Sequence, residues 1–101
     1  MLNTAYNNCK NLNNLVSEGV LTYSKYNNKE VYTGNGLYAN LEITSAKNCG
    51  KKVWKVWYRN TFIVWGVSKA HAFKATLALL QNFNNLATWD YSYLQNLHEV
   101  D

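Results

Sequence analysis

The chain has 101 residues, which is the length of one domain with one core. Hydrophobic residues make up 48% of it, with four Trp, eight Tyr and three Phe, and that apolar mass excludes a globally disordered chain. Charged residues are sparse at 16%, Asn supplies much of the polarity with sixteen copies, and a net charge of +4 permits contact with phosphate without demanding it.

No apolar run reaches bilayer length and no secretory signal precedes Cys9. The expectation is therefore a cytoplasmic protein without membrane contact, in which Cys9 and Cys49 are reduced thiols. Nine Lys against the single Arg59, together with the Asn and Tyr load, suit the codons of an AT-rich genome. Small Asn-rich chains of this kind are common in bacteriophages and other mobile elements.

In chain order, Tyr6, Cys9, Leu12, Leu15 and Val16 recur near helical spacing, which predicts a helix from Asn3 to Glu18 stopped by Gly19. Its many Asn residues are poor helix formers, so packing must hold it. Val20 to Tyr26 and Glu30 to Thr33 read as strands joined by an Asn27-Asn28 turn. Gly34-Asn35-Gly36 is a further turn. After it Leu37, Ala39, Leu41 and Ile43 alternate with Tyr38, Asn40, Glu42 and Thr44, the pattern of a strand with one apolar face. Ala46 to Gly50 is then expected to be a loop.

Lys51 to Tyr58 and Thr61 to Trp65 flank Arg59-Asn60 as a tight hairpin. A two-residue loop would set Tyr58 against Thr61, Trp57 against Phe62, Val56 against Ile63 and Trp54 against Trp65. On that register Trp54, Val56, Tyr58, Ile63 and Trp65 share one face, and Lys55, Trp57, Phe62 and Val64 share the other. Trp54 and Trp65 are the expected core residues, while Trp57 faces solvent unless a helix lies over it.

Ser68 is placed to cap a helix from Lys69 to about Asn82, with Ala70, Phe73, Leu77 and Leu80 on one stripe and Ala72, Thr76 and Leu79 beside it. Thr88 or Asp90 could cap a short terminal helix bearing Tyr93, Leu94, Leu97 and Val100. The expected fold class is α+β. It is a single domain with an antiparallel sheet of four to five strands, an N-terminal helix and two C-terminal helices.

A search for catalytic chemistry returns little. Gly34-Asn35-Gly36 lacks the following Gly and helix of a phosphate loop, and the six acids are not paired on one face except near the C-terminus. Two Cys and the distant His71 and His98 lack the spacing of a structural zinc site, so neither metal nor cofactor is expected. Cys49 beside Gly50 and two Lys, with His71 in a helix's first turn, could form a nucleophile pair. The plainer alternatives are a loop thiol and an exposed helix histidine, and no catalytic residue is assigned.

Basic and aromatic side chains interleave in the hairpin from Lys51 to Arg59. The expected partner-binding residues are Lys51, Lys55, Trp57, Arg59 and Phe62, with Lys69 at the adjoining helix N-terminus. On a protein the rings would be anchors with cations at the rim; on a single nucleic-acid strand they would stack on bases.

The segment Gly66-Val67-Ser68-Lys69-Ala70-His71-Ala72-Phe73-Lys74-Ala75 resembles the start of the second helix of double-stranded-RNA-binding domains. The order of helix, strands and helix is similar too. Only Ser68, Lys69 and Ala72 match that motif; Ala70 and Phe73 stand where the family's further lysines would be, and the chain is not assigned to the family.

The functional expectation is a small non-enzymatic binding protein, an inhibitor or accessory factor of a phage or mobile element, that docks on a host protein or nucleoprotein complex. Anti-CRISPR proteins are one such class. The alternative is a nucleic-acid-binding domain built on the basic-aromatic hairpin. Charge density favours the former, because Lys10, Lys25, Lys29 and Lys47 are spread along the chain and Arg is nearly absent. A homodimer through Leu94 and Leu97 also stays open.

Overall fold

Three two-residue turns dictate the architecture. Asn27-Asn28, Cys49-Gly50 and Arg59-Asn60 all carry positive φ at both positions, the mirror-image turn whose twist matches that of paired strands. The computed structural model describes residues 8–85. Within it, β1 (Leu21–Tyr26), β2 (Lys29–Gly34), β3 (Leu41–Asn48), β4 (Lys51–Tyr58) and β5 (Thr61–Val67) form one antiparallel meander in sequence order. The α+β class and the element order agree with expectation. The C-terminal half of the chain's predicted helical pair, from Thr88 onward, lies outside the described residues, as do Asn3 to Asn7 of the predicted first helix.

Helix α1 (Leu12–Ser17) is shorter than its spacing predicts. The Asn11 side chain accepts a hydrogen bond from the Asn14 backbone at 2.9 Å and so starts the helix there, an instance of the local capping that makes Asn a poor helix-interior residue. Leu12 and Leu15 are fully buried, and the Tyr32 hydroxyl donates to Asn13 Oδ1 at 2.7 Å, tying α1 to the sheet.

Two boundaries of β3 differ from expectation. Residues Gly36–Tyr38 form a 3₁₀ turn closed by Tyr38 N–H donating to the Asn35 carbonyl, so the strand begins only at Leu41. Leu37, placed by alternation on an apolar face, is 81% exposed. At its other end β3 runs to Asn48 through the segment expected to be a loop, because the two-residue Cys49-Gly50 turn lets pairing continue to Asn48 opposite Lys51.

Helix α2 (Lys69–Gln81) starts where predicted, with Ser68 Oγ accepting from His71 N–H at 3.1 Å. Its buried side is Ala72, Ala75, Thr76, Leu79 and Leu80, with His71 buried as well. Ala70 is exposed while Phe73 and Leu77 are only partly buried. The predicted stripe is therefore rotated: Ala72, Ala75, Thr76 and Leu79 lie on the fully buried side, and Phe73 and Leu77 flank it. His71, expected on the helix surface, belongs to that packed side.

One core results. Tyr32, Leu41, Ile43, Trp54, Val56, Tyr58 and Val64 point to the same face of the sheet and pack with Leu12 and Leu15 of α1 and Ala72, Ala75, Leu79 and Leu80 of α2. Both described helices thus cover one face. No described element covers the other.

Candidate functional site

The hairpin β4–β5 presents that uncovered face. Tyr58 opposes Thr61 and Trp57 opposes Phe62 as the turn predicts, and then the register shifts. Val56 pairs with Val64, Lys55 with Trp65 and Trp54 with Val67, so Ile63 and Gly66 are extra residues on β5. A single inserted residue exchanges the faces of everything after it. Gly66 supplies φ of 73° at the second irregularity. The expected placement of Trp65 in the core and of Val64 outside is accordingly reversed: Val64 is buried and Trp65 is 52% exposed. Trp54, at 3% exposure, is core as expected.

On the outer face Trp57 and Phe62 stack with ring centroids 3.9 Å apart and planes 30° from parallel. The indole N–H of Trp57 donates to Thr44 Oγ1 at 3.3 Å, and Lys55 Nζ lies 5.5 Å from the Phe62 ring centre. Both contacts restrict the rings before anything binds. A shallow depression beside them is lined by Lys29, Glu42, Thr44, Lys55, Trp57 and Asn60.

Of the six expected partner-binding residues, Lys55, Trp57 and Phe62 come together. Lys51 begins β4 at the opposite end of the strand from the Arg59-Asn60 turn. Arg59 folds back so that its guanidinium lies 5.4 Å from the ring of Tyr58, a core-facing residue. Lys69 is separated from the outer face altogether, since its ammonium sits 5.5 Å from the Tyr32 ring and 5.4 Å from the Trp54 ring on the helix-covered side. Trp65, which sequence reasoning assigned to the core, is the residue it missed. The insertion that turns it outward is Ile63, which no local signal marks; the lone Gly66, which does mark a bulge, lies after Trp65.

Charge is distributed less evenly than its sequence spacing suggests. Antiparallel pairing puts the tips of the β1–β2 and β3–β4 hairpins at the same end of the sheet, where Lys25 opposes Glu30, Tyr26 opposes Lys29, Lys47 opposes Lys52 and Asn48 opposes Lys51. Three of the lysines that look scattered along the chain, Lys25, Lys29 and Lys47, are thereby gathered with Lys51 and Lys52. Glu30 is the carboxylate among them. It accepts hydrogen bonds from Lys52 and, at 3.1 Å, from the Tyr23 hydroxyl. The Lys52 ammonium holds the Glu30 carboxyl below its ordinary value of 4.5, against an opposing contribution from burial.

Cys49 is exposed in the β3–β4 turn, whereas His71, weighed with it as a nucleophile pair, is buried on the packed side of α2. Cys9 is buried, and desolvation first, then the Glu18 charge, raises its thiol pKa. Among the described residues no group of three or more His, Cys, Asp and Glu side chains is placed to hold a metal ion, and no helix is long and apolar enough to cross a membrane. No protein-family model, curated protein or solved structure matches the chain.

Proposed function

We propose that this chain is a non-enzymatic binding protein that docks the outer face of its sheet on a protein or nucleoprotein partner. The observation carrying this reading is the aromatic surface of the β4–β5 hairpin: a stacked Trp57–Phe62 pair beside a half-exposed Trp65, on a face with no described element over it. Exposed apolar surface of this kind concentrates interface energy, because rigid rings bury much area while losing few rotamers. Lys55 stands beside the rings and Glu42 lies across from Trp57. A partner suited to it offers an apolar pocket with carboxylates at its rim. The small size and the Asn-rich, Arg-poor composition fit an inhibitor or accessory factor of a phage or mobile element acting on host machinery.

The test compares capture of one identified partner by the unmodified protein, by Trp57→Ala and by Leu37→Ala, each with and without nuclease. Leu37 is an exposed apolar residue in the 3₁₀ turn and serves as the control. Capture that survives nuclease, falls at least tenfold in Trp57→Ala and persists in Leu37→Ala supports the reading. Equal capture by all three proteins overturns it.

A further inference from the structure

We propose that the notch between the tips of the first two hairpins holds the phosphodiester backbone of a single-stranded nucleic acid. Strands β2 and β3 pair only from Val31 to Thr33 against Glu42 to Thr44. Beyond that the Glu30 N–H donates to Ser45 Oγ at 2.8 Å instead of to a strand carbonyl. The strands part there, leaving a cavity of about 480 Å³ whose walls include Asn27, Asn28, Lys29, Ser45, Lys47 and Lys52.

Its electrostatics favour an anion. Lys47 sits directly opposite Lys52, and like charges in that position on neighbouring strands repel. Glu30 engages Lys52, and its carboxylate is already shared with the Tyr23 hydroxyl. Among the described residues no ion pair engages Lys29 or Lys47. Three ammonium groups therefore line one notch beside a single committed carboxylate, with amide and hydroxyl groups to complete the hydrogen bonding of phosphate oxygens.

Two observations make the ligand a strand and not an isolated phosphate. The notch shares Lys29 and Ser45 with the shallow depression lined by Lys55, Trp57 and Glu42, so Lys47, Lys52, Lys29 and Lys55 follow one track, with the Glu42 carboxylate beside its far end. Tyr26, 74% exposed, lies directly across from Lys29 and offers a ring to an unstacked base. Lysines contact phosphate as point charges, and rings accept any base, so binding of this type is indifferent to sequence. Unstacked bases are available in a single strand and not in a duplex.

The experiment measures anisotropy of a labelled oligothymidylate of about fifteen nucleotides across a salt series. The Lys29→Gln/Lys47→Gln protein is expected to bind at least about tenfold more weakly and to lose about 1.4 from the magnitude of the log–log salt slope, at about 0.7 per phosphate contact. Its melting temperature should not fall, since the Lys47–Lys52 repulsion is removed. Tyr26→Ala should weaken binding of the oligonucleotide without changing competition by inorganic tripolyphosphate. The proposal is overturned if the unmodified protein does not bind the strand or if the double variant keeps its affinity and slope. Tighter binding to a duplex of equal length, or tripolyphosphate competing as well per phosphate as the strand, overturns it too. Because Lys47 lies outside the depression beside Trp57, loss of oligonucleotide by Lys47→Gln alone with partner capture intact separates this site from the protein-docking surface.

Discussion

Trp65 lies directly across from Lys55, one residue out of step with an unbulged hairpin, and that pairing decides which face of the sheet carries the aromatic surface. Had Trp65 opposed Trp54, the outer face would hold two large rings beside Lys55. It holds three. Stability measurements can check the placement directly. Trp65→Ala should cost less than about 1 kcal/mol in urea unfolding, as a half-exposed ring outside the core does. Gly66→Ala meets no neighbouring atom but must adopt φ near 73°, and about 1–2 kcal/mol is expected from the left-handed conformation alone. The reverse order of those two losses would place Trp65 in the core.

Trp54 and Trp57 are three residues apart on β4 and differ in what surrounds them. Trp54 packs within the core cluster between sheet and α2, so Trp54→Ala should cost about 3–5 kcal/mol. Trp57→Ala gives up a stacked ring and one long hydrogen bond to Thr44, for which about 1–2 kcal/mol suffices. Chemical denaturation of the two variants should therefore separate by at least about 1 kcal/mol. Matching losses would mean that the outer face is as well packed as the inner one.

The elements legible in the sequence are those specified by short-range chemistry. Asn27-Asn28 and Arg59-Asn60 are read from turn preference, Ser68 from helix capping, and the inward row Leu41, Ile43 from alternation. Features set by longer range were not. The extra residues Ile63 and Gly66 shift the register only when β5 is laid against β4. The inward side of α2 is chosen by tertiary packing, which buries Ala72 and Ala75 completely and the more hydrophobic Phe73 only in part. The basic notch is invisible along the chain because Lys29 and Lys47 are brought near one another only by the hairpins that carry them.

Gly34 is required by a close approach. A Cβ at that position would collide with the Tyr38 carbonyl and press on the Tyr38 side chain. The turn it would disturb also carries Asn35, whose backbone N–H donates to the Val20 carbonyl at 2.9 Å and whose side-chain amide donates to the Gly19 carbonyl at 3.0 Å, fastening the start of β1. Gly34→Ala is expected to destabilise by about 1–3 kcal/mol or more through overpacking. Gly36→Ala, with open space but φ of 57°, should lose about 1–2 kcal/mol from conformation alone. Thermal unfolding of the pair checks this, and a Gly34→Ala protein as stable as the unmodified chain would show that the 3₁₀ turn can move aside.

The Glu30–Lys52 pair makes stability depend on acid. The folded Glu30 carboxyl is held below its ordinary 4.5, first by the Lys52 hydrogen bond, then by the Tyr23 hydroxyl and the nearby Lys52 and Lys69 charges, with burial pulling the other way. A depressed folded value means that the unfolded chain binds the proton more readily. The associated stability is therefore fully present above pH 4.5 and is lost as pH falls through the lower folded value. Glu30→Gln should cost about 1 kcal/mol near neutral pH, since the pair is partly exposed on the Lys52 side, and should flatten the decline in melting temperature below pH 4.5. Raising salt should reproduce part of the neutral-pH loss in the unmodified protein and little of it in the variant, because an ion pair is screened and an amide is not. Identical acid limbs for the two proteins would show that Glu30 titrates alike in the folded and unfolded chain, and that the Lys52 contact does not hold its charge.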